Sequence, residues 1–416
     1  MNSKYTTYKL PVNWETGMML NQTHLNELND YMFSIRRNSM LKGLHYYNYG
    51  LLPDYDNKFD ALKISLEKQS SQLIVQLEQC YVLTFDGFCF NINPQTIKTG
   101  YLNYNNLSIS IDLDQINQNY MLIYLSYNPD EIVNIGHVDV AKDDFERKPY
   151  RNMAIKLNYS SIESVNQVAQ FEGQGNSIPL AIVNITNVDN PQLEKKYIPP
   201  CVNFYSDERL SSIFEKLKKD TNALSESMTQ VLSFVREDEK DNLVSNLTLD
   251  LSFFLKTLLP IVAEINAALR SKLKVDSIIE LFYLYKKLAT TFIASFDSIE
   301  QTNRREMANY FAEMHGTPNQ FSKIGLNLVE ANYVHVNVYK TCLEPILQFV
   351  DLMLNLMKDM ASKGLQIKLF SQSGTSEGYK ERKREEKPAN TKPATAIKDK
   401  NKQKDKKDDN NEISWI

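Results

Sequence analysis

Between about residues 55 and 200, apolar side chains fall on every second position. Leu62, Ile64 and Leu66 alternate with polar residues, and Leu73, Val75, Leu77, Tyr81, Leu83 and Phe85 read as one phase. Leu107 to Leu113 and Met153 to Tyr159 repeat the pattern. Period two places such side chains on one sheet face. Tyr120 to Leu125 is apolar in both phases, which predicts a strand covered on both sides. Asp86-Gly87 between two apolar runs predicts a hairpin turn. Many strands without intervening helices predict an antiparallel sandwich.

From Ser206 the period changes. Leu210, Phe214, Leu217, Thr221, Leu224, Met228, Val231 and Val235 are spaced alternately four and three residues apart, a heptad seam with one polar position. A second helix is expected from about Asn242 to Leu269, kinked at Pro260. A third opens at the capping box Ser277-x-x-Glu280. A fourth runs from about Leu326 to Met360, with a kink at Pro345. These form a helical bundle. At the other end, an extended run (Leu10, Val12, Trp14) and a Glu15-Thr16-Gly17 break precede a helix from about Thr23 to Gly43, and the chain resumes at Tyr49-Gly50-Leu51. The fold class is therefore α+β and multidomain, an antiparallel β-sandwich followed by an α-helical bundle and a disordered charged tail. Its parts are a docking segment and helix at 1–52, the sandwich at 53–200, the bundle at 206–363, a short strand at 364–372 and the tail at 373–416.

The tail carries 12 Lys or Arg and 9 Asp or Glu with few aliphatics, so it cannot bury enough surface to offset its chain entropy. It closes on Glu412-Ile413-Ser414-Trp415-Ile416, whose large apolar groups read as a docking motif on a tether.

Composition narrows function mainly by exclusion. Formal net charge is −4, which gives no general argument for nucleic acid. No uncharged apolar run reaches 18 residues and no signal-peptide pattern opens the chain, so neither a membrane span nor secretion is expected. The four cysteines form no Cys-x-x-Cys pair; Cys89 is expected opposite Thr84, which argues against a bridge to Cys80. None of the five histidines has a metal-ligand partner at the usual spacing, and no nucleophile elbow or phosphate loop is present. Neither metal nor cofactor nor catalysis is expected.

The amino-terminal pattern of Val12, Trp14, Glu15, Gly17, Met18 to Leu20, His24 and Tyr49-Gly50-Leu51 resembles that of TssK, the trimeric baseplate family of type VI secretion systems. Ile178-Pro179-Leu180-Ala181, Ile198-Pro199-Pro200 and the run Leu258 to Phe292 resemble the close of that family's shoulder domain, its linker and its neck. The resemblance implies a homotrimer with no enzymatic role, cytoplasmic and at the inner face of the inner membrane when assembled. It implies that Val12, Trp14, Gly17, Met18, Met19, Leu20 and His24 dock wedge proteins of the TssF and TssG type. His24 also reads as a helix-start residue. The resemblance favours the seam of Leu210, Phe214, Leu217, Leu224, Met228, Val231 and Val235 as a trimer contact, although the same spacing suits a core within one chain. Of the family's head domain at most the first strand is expected here, so Ile413, Trp415 and Ile416 are expected to meet the membrane-anchoring complex. A phage-type receptor-binding or tail-fibre protein is the alternative. A sugar-cleaving enzyme, suggested by the 23 tyrosines, lacks a nominated carboxylate pair.

Overall fold

A helix, α1 (Gln22–Leu41), and a two-residue strand, β1 (Gly50–Leu51), lead into two antiparallel sheets. The computed structural model describes residues 10–53, 61–98, 104–135, 150–173, 176–240, 246–271, 277–315 and 320–363. The expected strand at 364–372 and the tail at 373–416, with Ile413, Trp415 and Ile416, lie outside them.

The first sheet is built on its longest strand. β2 (Leu62–Gln69) and β1 flank one side of β3 (Gln72–Leu83); β4 (Cys89–Ile92) and β5 (Ser108–Asp112) flank the other. A short helix, α2 (Pro94–Lys98), follows β4, with the Asn93 Oδ1 accepting from the Gln95 and Thr96 amides. The expected single phase along β3 breaks. Leu73, Val75 and Leu77 face the core, but farther on Cys80 and Val82 do, while Tyr81 and Leu83 turn away. The register shifts opposite Lys63 and Ile64, leaving Glu78 as an extra residue, and one extra residue exchanges the faces of everything beyond it. The hairpin register also differs from expectation. Cys89 pairs with Leu83, not Thr84, because Thr84 closes the turn by accepting from the Phe88 amide and bonding its carbonyl. All four cysteines are free.

The second sheet runs β6 (Tyr120–Ile135), β7 (Tyr150–Ile162), β8 (Ser177–Asn184) and β9 (Gln192–Leu193), in the order β7-β6-β8-β9. Met121, Leu122, Ile123 and Leu125 are all fully buried, as a strand covered on both sides requires. Tyr159 departs from its expected inward phase and is 42% exposed. Pro179 fits inside β8 because the register with β6 shifts beside it and β9 pairs only with Val183 and Asn184. Core residues of the sheets and the helices form one continuous cluster.

The bundle has more helices than the spacing suggested. α3 (Glu208–Lys240) packs on α4 (Asn246–Arg270) and α8 (Glu344–Lys363), and α5 (Ile278–Asp297) packs on α4 and α7 (Gln320–Glu330). α6 (Gln301–His315), which the sequence reading missed, is a polar helix touching α4 and α8. Pro260 lies within α4. The Ser277 capping box does not form: Ser277 precedes α5, but its hydroxyl is buried and unpartnered. The single helix expected over Leu326 to Met360 is two helices. Residues 331–337 leave the α-helical path, and the chain re-enters it through a π-helical turn, Tyr339–Leu343, that runs directly into α8, so Pro345 lies within a continuous helical run just after that turn.

That break makes a joint. His335 is fully buried between the sheets and the bundle. Its Nε2 donates to the Tyr49 carbonyl at 2.7 Å, so its Nδ1 accepts from the Tyr333 hydroxyl at 2.8 Å. Its backbone N–H donates to Glu172 at 3.0 Å, and its ring lies 4.7 Å from that of Tyr49. One residue on, Gly50 has φ of +115°, and a Cβ there would sit 2.1 Å from the Pro200 carbonyl oxygen. The Leu51 amide donates to that same oxygen at 2.7 Å, and Val202 donates to the Leu51 carbonyl at 2.9 Å. Tyr49-Gly50-Leu51, Ile198-Pro199-Pro200 and His335 therefore meet at one point.

Candidate docking surface

α1 is held by one end. Asn21 caps its start, its Oδ1 accepting from the His24 amide at 3.0 Å. The far half leans on the β3–β4 hairpin. Arg37 donates from Nε to the Asp86 carbonyl at 2.8 Å, and its guanidinium lies 4.8 Å above the Phe88 ring. Gly87, with φ of +81°, permits this seat; a Cβ there would come within 3.2 Å of both the Arg37 carbonyl and the Leu41 side chain. Burial raises the Asp86 carboxyl above its ordinary range, while Arg37 and a hydrogen bond from the Tyr127 hydroxyl pull it back.

No residue of α1 is fully buried. Leu25, Leu28, Met32 and Ile35 recur at helical spacing, which sets them on the side away from Arg37 and Leu41. Met32 is 59% exposed, and Leu25 and Ile35 are exposed as well. A helix of this kind gains most of its stability by packing an apolar stripe, and among the described residues this stripe has no cover.

The expected docking residues continue the same surface. Met19 is 87% and Leu20 65% exposed, and Leu10 is exposed with them. Trp14 is 47% exposed and meets the His24 ring edge-on at 6.2 Å, so His24 supports the tryptophan as well as following the cap. Met18 is exposed and Val12 half-buried. Gly17 has φ of +88° in a turn closed by the Met18 amide on the Glu15 carbonyl, with open space where a Cβ would be. An apolar patch of this extent is characteristic of a protein interface.

The seam lies elsewhere. Leu210, Phe214, Leu217, Leu224, Met228, Val231 and Val235 are all buried, on a helix packed between α4 and α8 of the same chain. Its polar position is satisfied there, with Thr221 bonded to the Tyr285 hydroxyl at 2.6 Å. The outward stripe of α4 is a second apolar face. Leu249, Phe253 at 60% exposure, Pro260, Ala263 and Ala267 line it, interrupted by Lys256 and Glu264. By length and composition Thr248–Arg270 could cross a membrane, but half of it is buried in the bundle. Beside it, Ala267, Ala268, Leu281 and Leu284 line a shallow apolar cleft.

Among the described residues, no group of three His, Cys, Asp or Glu side chains is placed to hold a metal ion. What the described residues of the amino-terminal segment build is an exposed apolar surface. The extent of α1 was visible in the sequence; its exposed stripe, its seat on the hairpin, the His335 joint and the outer face of α4 were not.

No protein-family model matches the chain. No curated protein matches it either. Solved structures do. One is a chain of the type VI secretion TssK–TssF–TssG baseplate subcomplex, 13% identical over 83% of this chain and 99% of that one, with a TM-score of 0.44. Another is TssK of the EAEC type VI secretion system bound to a nanobody, 14% identical over 78% and 96%, with a TM-score of 0.45. A third is a chain of a type VI secretion baseplate complex, 13% identical over 83% and 99%, with a TM-score of 0.46.

Proposed function

We propose that this chain is a structural component of a type VI secretion baseplate, a trimeric and non-enzymatic adaptor between the wedge and the membrane-anchoring complex. The observation that carries this reading is the amino-terminal segment. A well-formed helix and the run before it hold out Trp14, Met19, Leu20, Leu25 and Met32, all exposed and uncovered among the described residues. These include the residues on which the sequence resembles the docking segment of TssK. In this reading the segment binds wedge proteins of the TssF and TssG type. The sandwich (53–200) is the shoulder and the bundle (206–363) the neck. The joint of Tyr49, Pro200 and His335 fixes one to the other, so load on α1 reaches the bundle.

Three copies meet, on this proposal, through the outer face of α4. The seam of α3 fills the core of its own chain and leaves no apolar surface to share. The assembly sits at the cytoplasmic side of the inner membrane, with Ile413, Trp415 and Ile416 reaching for the anchoring complex.

One experiment covers both halves. Size-exclusion chromatography with light scattering should give the mass of three chains, and added wedge proteins should co-elute. The variant Trp14→Ser, Met19→Ser, Leu20→Ser removes groups outside the fully buried core, so its unfolding free energy should fall by no more than about 1.5 kcal/mol, about 0.5 kcal/mol for each substitution. Its trimer mass should be unchanged and its wedge binding lost. A single-chain mass removes the trimer; wedge binding by the variant removes the docking role.

A further inference from the structure

We propose that the groove between α1 and the β3–β4 hairpin holds a short apolar segment of the wedge partner that bears a carboxylate, and that this carboxylate seats on Arg36. The proposal rests on the docking role above and names the chemistry of its partner. The groove is about 310 Å³, the lower end of what ligand sites occupy, so it fits one or two side chains. Phe33, Phe88, Phe90 and Met153 supply apolar walls, with Asn91 at the edge. Phe33 is 54% exposed, so one wall stands open and gains by being covered.

Charge decides the occupant. Two arginines line the groove, and they are in different states. Arg37 is engaged by the Asp86 carbonyl and stacked on Phe88. Arg36 is exposed and makes no salt bridge among the described residues. Asp86, the acidic residue of the hairpin turn, accepts from the Tyr127 hydroxyl and lies in the field of Arg37. A guanidinium beside aromatic walls matches a planar carboxylate with two parallel hydrogen bonds and favours it over a water-bound anion. An aspartate, glutamate or chain-terminal carboxylate next to a large apolar side chain satisfies both features. The hairpin fixes one wall and α1 the other, so the groove is preformed and loses little freedom on binding.

The test uses the full chain and purified wedge proteins. Arg36→Ala should weaken wedge binding about 10- to 100-fold, the loss usual when a central arginine of an interface is truncated. Arg36→Lys keeps the charge but not the fork and should fall between. Cys89 provides a second readout. It lines the groove and is half-buried, whereas Cys80, Cys201 and Cys342 are buried, so wedge binding should slow alkylation of Cys89 alone. Wild-type chain that binds the wedge while Arg36→Ala binds equally well and Cys89 stays reactive overturns the groove but leaves the docking role. No binding by the wild-type chain overturns both.

Discussion

Gly50→Ala should destabilise the fold by about 4 kcal/mol or more, read as a lower urea midpoint at unchanged slope. Two causes add. The left-handed backbone costs a residue with a Cβ about 1–2 kcal/mol. The Cβ would also lie 2.1 Å from the Pro200 oxygen and 2.2 Å from its carbon, both backbone atoms that no rotamer change can move. Relief requires β1 to separate from the linker, which breaks the Leu51 to Pro200 and Val202 to Leu51 hydrogen bonds. Gly17→Ala is the matched control. It has a similar positive φ but nothing within 4 Å, so only the backbone cost remains. Equal losses at the two positions would mean that the close approach at Gly50 does not hold the joint.

Stability should fall as pH drops from about 6.5 to about 4, and His335 should account for about 3 kcal/mol of the fall. Burial holds its imidazole down to about 4. In the unfolded chain the ring protonates near its ordinary value of about 6.5. Between those values the unfolded state binds the extra proton, so unfolding gains on every downward step in pH. Above the window the contribution is complete, and below it nothing further is lost. The groups facing the ring are the Tyr333 hydroxyl, the Tyr49 carbonyl and, at its backbone, Glu172. A charged ring would keep its bond to the carbonyl but lose the one it accepts from Tyr333. His335→Asn should be less stable at pH 7 and show a flatter pH dependence. Parallel curves for wild type and variant would place the titration elsewhere.

Legibility from sequence followed the range of the forces involved. Period two and period 3.6 reflect burial of one face, so the strands at Leu73, Ile111 and Met121 and the seam on α3 were readable. The Gly50 motif could be matched to a family, but the reason for its glycine is Pro200, 150 residues away. Bulges were invisible because an extra residue such as Glu78 is set by its partner strand, not by its own neighbours. The Leu326 to Met360 run kept helical spacing across a break that the His335 contacts impose, and tertiary bonds overrode it. At the candidate site the exposed residues were legible and the geometry was not. Nothing local distinguishes an apolar helix that seats on a hairpin from one buried in a core, and Arg36 and Arg37 are indistinguishable until one finds Phe88.

Amide hydrogen exchange on the full chain, free and with wedge proteins added, tests the central claim most directly. Residues 10–32, ahead of the part of α1 seated on the hairpin, should exchange quickly in the free chain, because an unpacked helix opens readily, and residues 10–41 should become the most strongly protected segment on binding. Unchanged exchange across 10–41 with new protection on other elements would contradict the account.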